Sequence, residues 1–587
     1  VTDEKPNLLR VDAVWDIETA DWDQFATGAV WDSRWPDTVH VYDDEDDLAQ
    51  HLLSLPKSSV AWAHAGGRFD VLWLLDWCRR RAEIPEAIIR LSGSSIASLA
   101  IKGGPVLRDS FRLMPMGLAE CCKMFPGCEL KQRLSLPCTC GRDCGGYCAI
   151  RGDMDRDTRR RVHEYLEADV LSLRDTLHKL IEYATEHDLL LGGTVASTGW
   201  NTARDKCGLW EADWEMEAYR RARAGYFGGR CEVGRLRAPL VYRYDRKQAY
   251  PAALCKPVPV GEPRLLDRKT AAHAWGKGKP GMYYAAVEVP EMLSPPLPVR
   301  FRDRIVYPWG LLFGTWPRQE LQHAEECGAK IVKLHGGIAW PREEALLRPH
   351  VEHCFALREA ADNKALKTWI KFVANSLTGA FAQDPEHEIV ALGEDYADKP
   401  EWEPVGRYDW IWKRAVFAIP TRGHVHWAAT LTGDARTELH REILHAGDDW
   451  VYSDTDSCPA LRKLTRNTGD GLGEWDFEGE GREWVCLAPK VYSFVGTSKK
   501  DPSPRLIAKA KGIPKAEKAW PAIMSGAVVT LDRGVDSLLV AAKTDKLFRR
   551  RHGTRSIKAR EDWCGARIID GERTRPPHVS DLDEIPR

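Results

Sequence analysis

No apolar run in this chain approaches the roughly 18 residues that cross a bilayer. The opening VTDEKPNLLR is not built like a secretory leader. The expectation is a protein that neither spans a membrane nor is secreted and that works in the cytoplasm. Net charge is nearly absent too, −2 over 587 residues, so the overall balance makes no case for nucleic acid. Internal repeats and long low-complexity tracts are lacking, which leaves no sign of a solenoid or a disordered array. Without a leader, the 16 cysteines read as reduced thiols or metal ligands, not as a disulfide framework.

What is present is 43% hydrophobic and 29% charged residues, the mixture of a globular protein with true cores. The length suits roughly three to five domains or subdomains. Charge is local: Arg220, Arg221, Arg223 and Arg230 form one basic group, and Lys546, Arg549, Arg550, Arg551, Arg555, Lys558 and Arg560 another. Each alone reads either as a solvated face or as a nucleic-acid patch. The 24 tryptophans look like a compositional bias and carry no functional reading.

The most informative stretch is Tyr452-Ser453-Asp454-Thr455-Asp456-Ser457 after the apolar Trp450-Val451. It predicts a strand entering a tight turn. Residues i and i+2 of a strand face one side, so Asp454 and Asp456 can offer carboxylates to one spot. Oxygen-only ligands suit Mg²⁺ or Mn²⁺. The alternative is an acid-rich hairpin turn.

A second acidic set lies in the first third. Val14-Trp15-Asp16-Ile17-Glu18-Thr19 alternates, placing Asp16 and Glu18 on one strand face and Trp15 and Ile17 on the other. Val60–His64 predicts a strand, followed by the turn Ala65-Gly66-Gly67-Arg68-Phe69-Asp70 and a helix. Val162, Leu166, Val170, Leu173, Leu177 and Leu180 predict a helix over about 156–187, with Tyr165 and Asp169 on one face. Asp16, Glu18, Asp70 and Asp169 together suit two metal ions that activate a water at a phosphodiester, with Tyr165 orienting that water. Singly, each acid reads as a surface residue.

D-x-E, F-D after a glycine turn and Y-x3-D, in that order, resemble the three motifs of the 3′–5′ proofreading exonuclease domain of DNA polymerases. Ser110-Phe111-Arg112-Leu113 resembles the segment that contacts single-stranded DNA in the protein-primed subgroup, and Phe69 is implied as a DNA contact. The family's usual Asn in the second motif is missing, with Ala65 and Gly66 in its neighbourhood.

The remaining chain resembles family B DNA polymerases. Val241–Asp245 followed by Arg246-Lys247-Gln248-Ala249-Tyr250-Pro251 resembles motif A, which makes Asp245 a metal ligand and Tyr250 the gate against a ribose 2′-hydroxyl. The amides after Asp245 are candidates to receive triphosphate oxygens. Lys367, Lys371 and Asn375 form one stripe of a helix expected to end near Gly379. Lys371-x3-Asn375-Ser376-x-Thr378-Gly379 resembles motif B, so the stripe is implied to bind dNTP; Thr378 stands where the family has Tyr. The D-T-D hexapeptide matches motif C, with Asp245 and Asp456 the main ligands and Asp454 beside them. Lys490-x-Tyr492 resembles the motif that steadies the primer terminus. Tyr226-Phe227-Gly228-Gly229-Arg230 resembles the Y-x-G-G motif that binds template. The resemblance implies two Mg²⁺ (or Mn²⁺) ions per active site.

Asp245 and Lys371 are 126 residues apart, whereas a two-helix finger needs only about 50–60. A second surplus separates Gly379 from Asp454. Both fall where the protein-primed subgroup carries its insertions, TPR1 and TPR2. The resemblance implies an α/β multidomain fold: an RNase H-like exonuclease domain, then a right-hand palm, fingers and thumb with two insertions. The expected division is exonuclease at 1–190, linker with the Y-x-G-G motif and first palm segment at 191–251, and palm with a TPR1-like insertion at 252–350. Fingers follow at 351–380, a TPR2-like insertion and palm helix at 381–440, palm at 441–500, and thumb and tail at 501–587. It implies a monomer that binds DNA primer-template, dNTPs and a terminal protein primer, and that replicates a linear double-stranded genome with strand displacement. Alternatives are a family B enzyme using conventional or no primers, and a stand-alone nuclease or DNA-binding module. Separately, Cys138, Cys140, Cys144 and Cys148 can hold a structural Zn²⁺, although they lack paired C-x2-C spacing; the alternative is a loop of reduced thiols.

Overall fold

A computed structural model describes residues 9–20, 24–128, 134–136, 147–393, 396, 398–498, 501–557 and 559–585. Cys138, Cys140 and Cys144 lie outside the described residues, so the zinc reading of that loop is left there; Cys148 sits in the short helix Tyr147–Ala149. Among the described residues, no helix is long and apolar enough to cross a membrane.

The alternating N-terminal segment forms strand Ala13–Ala20, with Trp15 and Ile17 buried and Asp16 and Glu18 partly open, as alternation requires. It pairs antiparallel with Gln24–Asp32 and parallel with Val60–Ala63, which in turn runs parallel to Val106–Asp109. The predicted long helix spans Arg156–Glu186. Asp155 caps it, accepting from the amides of Asp157 and Thr158 at 2.9 Å each. Its apolar stripe, including Leu166, Val170, Leu173 and Leu177, packs against one face of this sheet.

The sheet is not confined to the first 190 residues. Ten strands form it, and Glu386–Leu392, Tyr408–Phe417 and Glu403–Val405 extend it beyond Ala87–Ser92. On its other face, Leu538, Ala541, Ala542, Leu547 and Phe548 enter the same core as Trp15, Trp73 and Leu75. A segment near the C-terminus is thus part of the N-terminal core.

The palm-like sheet orders Asp501–Ala510, Val491–Ser498, Trp475–Ala488 and Arg237–Arg246, all antiparallel. Beside it the short strand Tyr452–Asp454 pairs with Cys231–Val233. The surplus between Asp245 and Lys371 contains a separate four-stranded sheet, Arg264–Leu266, Lys330–Ala339, Gly281–Val289 and Gly310–Pro317, with helices Arg268–Gly276 and Arg318–Glu326. The predicted motif B helix is Lys364–Phe381, capped by Asn363. It runs on through Gly379 to Phe381 rather than stopping at the glycine, because Leu377, Ala380 and Phe381 keep its buried face continuous. Its first half packs into the N-terminal unit: Trp369 Nε1 donates to the Leu113 carbonyl at 3.0 Å and Asn363 Nδ2 to that of Met124 at 2.8 Å.

Two carboxylate sites on two sheets

Strand Ala13–Ala20 carries Asp16 and Glu18, helix Asp70–Arg81 begins at Asp70, and the long helix carries Tyr165 and Asp169. Asp70 is buried at its helix's first residue, and its Oδ1 accepts from the Ile17 amide at 3.2 Å. That same amide lies 3.1 Å from Asp16 Oδ1, so the two carboxylates share one donor. Burial, then the neighbouring Asp16 carboxylate, pushes Asp70 well above its ordinary value. Tyr165 is also raised by burial and by the charge of Glu18, and its hydroxyl is 3.1 Å from that of Tyr147. Asp169, one helical turn on, is 1% exposed. Asp16 and Asp70 crowded on one amide are costly, and a bound cation would offset that cost; an all-oxygen donor set fits Mg²⁺ or Mn²⁺.

The turn before Asp70 has a steric logic. A Cβ on Gly67 would lie 1.7 Å from the Ile96 carbonyl oxygen, so only glycine fits there. Ala65 sits at φ 62°, in the left-handed region where Asn is better tolerated than Ala. Ser110 Oγ is 3.0 Å from His64 Nδ1 and 3.2 Å from the Ala63 carbonyl, so this residue braces the turn from below. Phe69 packs edge-on to Phe548 at 5.0 Å.

In the second site, strand Arg237–Arg246 delivers Asp245 beside the D-T-D turn through a bridge to Ser457. The strand ends at Asp454, and Thr455 turns the chain at φ 60°. Strand alternation therefore does not bring Asp454 and Asp456 together, as the sequence suggested; a tight turn does, with the Asp456 amide 2.6 Å from the Asp454 carbonyl. Asp245, Asp454, Asp456, Lys490 and Tyr492 line one cleft of about 650 Å³. Burial, then the Asp454 carboxylate, raises Asp456, while Lys371 and Lys490 pull the other way. The motif B lysine is thus near enough for its charge to act on Asp456. Lys490 Nζ contacts both Asp454 oxygens at 2.6 and 2.7 Å. Burial works against the Lys490 charge, but Asp454 outweighs it and holds the ammonium above its ordinary value. Tyr492 stacks on Trp484 at 4.7 Å.

Tyr250 opens helix Ala249–Leu254 and is raised by burial and by its neighbour Tyr226. Two amides after Asp245 are already committed, Arg246 to the Asp456 carbonyl at 2.6 Å and Lys247 to that of Glu474 at 2.9 Å. They are therefore not available to triphosphate oxygens. On the motif B helix Lys371 is exposed and Lys367 and Asn375 are half-buried, forming the expected stripe. Thr378 is buried, with its hydroxyl unpartnered, so it packs inward rather than lining the cleft.

The Y-x-G-G segment abuts motif C. A Cβ on Gly229 would lie 2.5 Å from Thr455 Oγ1, and the Thr455 amide donates to the Arg230 carbonyl at 2.7 Å. Arg436 holds the carbonyls of Phe227 and Gly228 from behind, itself paired with buried Glu320 at 2.7 Å. A Cβ on Gly228 would make an ordinary van der Waals contact, 3.7 Å from Ile305 Cδ1. Arg230 is neither a solvated face nor a patch: it is 1% exposed, pairs with Glu232 and lies 3.8 Å from the Tyr307 ring. Two residues beside the site were missed by sequence reasoning. Asp476 pairs directly across from Asp245 in the sheet, and Lys509, which lines the cleft, pairs across from Tyr492. An acid and a lysine in otherwise ordinary strands carried no local signal.

Residues 150–400 match the family model described as DNA polymerase type B, organellar and viral. The DNA-directed DNA polymerase of Enterobacteria phage PRD1 is 24% identical over 508 residues, covering 80% of this chain and 78% of that protein. A probable DNA polymerase of Agaricus bitorquis is 23% identical over 540 residues, covering 77% and 66%. Among solved structures, Phi29 DNA polymerase complexed with primer-template DNA and incoming nucleotide superposes with a TM-score of 0.71 at 14% identity, over 93% of this chain and 100% of that one. The fold is the expected exonuclease unit joined to a right-hand polymerase. The family model, the phage relative and the fold agree in their likeness to type B DNA polymerases, and the chain is a DNA-directed DNA polymerase.

Proposed function

We propose that the enzyme adds dNTPs to a DNA 3′-hydroxyl at Asp245, Asp454 and Asp456, and removes 3′-terminal nucleotides at Asp16, Glu18, Asp70 and Asp169. The observation that carries the synthetic site is the convergence of Asp245, Asp454, Asp456 and Lys490, from three separate segments, on one cleft, with the Lys371 charge felt at Asp456. Bound between those carboxylates, two Mg²⁺ (or Mn²⁺) ions would activate the primer hydroxyl and offset charge on the departing pyrophosphate. Asp456 and Asp245 hold the ions, and Lys490 orients Asp454 near the primer end. Lys371 and Lys367 place point charges where a triphosphate enters, and Tyr250 crowds the sugar. In the other site Tyr165, held by Tyr147, orients the attacking water.

DNA primer-template and dNTPs are the partners this reading assigns. Priming by a terminal protein, and strand displacement on a linear genome, follow from the similarity to the phage enzymes and from the two insertions. Asp16→Ala with Glu18→Ala is expected to end digestion of single-stranded DNA while primer extension stays within about twofold, an effect below 0.5 kcal/mol. Undiminished digestion would refute the exonuclease site. For priming, a cognate terminal protein should become labelled by a single radioactive dNTP; extension of ordinary oligonucleotides with no such labelling refutes it.

A further inference from the structure

Away from both carboxylate sites, three nitrogen and sulfur ligands converge. His323 lies on helix Arg318–Glu326 of the inserted sheet, and Cys327, four residues on, caps that helix. Spacing of four puts both on one face. His440 comes from helix Val425–Ala446. The candidate ligand atoms of the three all lie within 4.8 Å of one another. His323 Nε2 is 2.7 Å from His440 Nδ1 and 3.7 Å from Cys327 Sγ.

The outer partners are those that metal-binding imidazoles use. His440 Nε2 donates to the Ser294 carbonyl at 2.6 Å, which leaves its Nδ1 lone pair facing His323. His323 Nδ1 is 3.3 Å from a Glu326 carboxylate oxygen, the carboxylate–histidine arrangement that turns Nε2 toward a metal. Both imidazoles are almost fully buried. Cys327 is half-buried, so an ion has a way in.

We propose that His323, Cys327 and His440 form a zinc-class metal site that fastens the inserted sheet to the palm helix. Two imidazoles and a thiolate select Zn²⁺-like ions over Mg²⁺, so this site is distinct in chemistry from the two carboxylate sites. Binding is balanced by loss of one proton. The thiol releases its proton to solvent, and the His323 proton, shared with His440 in the metal-free protein, moves to Nδ1 beside Glu326. The two ring nitrogens must part, because two nitrogen ligands of a tetrahedral Zn²⁺ stand about 3.3 Å apart at bonds of about 2.0 Å. Ser294 links the site to the template-side loop, since Arg230 donates to its hydroxyl and to the Pro295 carbonyl at 2.9 Å.

The test uses the full-length protein, stripped by chelator and titrated with Zn²⁺ and separately with Co²⁺. Wild type is expected to show a thiolate-to-cobalt charge-transfer band. Cys327→Ser should lose that band and bind one Zn²⁺ fewer than wild type, and His323→Gln should bind one fewer as well. A Cys138→Ser/Cys140→Ser variant must retain that difference, which separates this site from the cysteine loop. Zn²⁺ should raise the apparent Tm of that variant but not of its Cys327→Ser derivative. The proposal is overturned if wild type gives no cobalt band, or if Cys327→Ser keeps the same band and stoichiometry.

Discussion

Thr455 sits in the left-handed region, a conformation that costs a β-branched residue on the order of 1–3 kcal/mol. The Arg230 carbonyl accepts its amide, and the bare α-carbon of Gly229 leaves room for its side chain. The Y-x-G-G glycine therefore shapes motif C by packing, whatever it also does for template. Gly229→Ala should slow primer extension by at least roughly tenfold, about 1.4 kcal/mol, while leaving single-strand digestion intact. Thr455→Ala should relieve part of that loss in a double-mutant cycle; strictly additive losses would contradict the steric account. Asp70 gives a second prediction. Its folded value is raised, so the metal-free protein binds more protons than its unfolded chain above about pH 4. Stability from this group is then lost as pH rises through the folded value. Asp70→Asn keeps an acceptor for the Ile17 amide and removes the buried charge. It should raise the metal-free Tm at neutral pH by a few degrees, about 2–4 °C per kcal/mol in a mid-sized domain, while ending digestion. A lower Tm in calorimetry would contradict this.

At the scale of elements, the segment around 538–548 acts as a strap on the N-terminal core. The Leu547 amide donates to buried Asp76 at 2.7 Å, and Phe548, 1% exposed, meets the ring of Phe69 beside Asp70. The Arg407 amide donates to the Ala542 carbonyl at 2.9 Å, tying in the loop between strands Glu403–Val405 and Tyr408–Phe417. Phe548→Ala should cost roughly 3–5 kcal/mol, the range for a buried Phe truncation. Because the cavity opens next to Phe69, digestion should fall more than extension does. Equal losses, or unchanged resistance to denaturant, would contradict the strap.

At the scale of the whole molecule, the two units are interlocked. The motif B helix is rooted in the N-terminal core through Trp369, and the tail returns to the palm, where buried Arg567 pairs with Glu232 at 2.8 Å. Local periodicity made the long helix, the alternating strand and the acid-bearing strand at Asp245 legible in sequence, because each repeats over several residues. The D-T-D turn was legible as chemistry but not as geometry, since a single left-handed residue leaves no periodic trace. The strap, the extended sheet and the His323–His440 pair were illegible: they join residues over a hundred positions apart through packing alone. Of the acids read from the sequence, Asp245, Asp454 and Asp456 line one cleft, and Asp16 and Asp70 share the Ile17 amide. The central claim is that Asp456 serves synthesis alone, and the direct measurement is primer extension beside single-strand digestion on one preparation of Asp456→Ala. The expected result is extension reduced more than about 100-fold, beyond the usual loss of an outer-sphere partner, with digestion unchanged. Extension near the wild-type rate would contradict it.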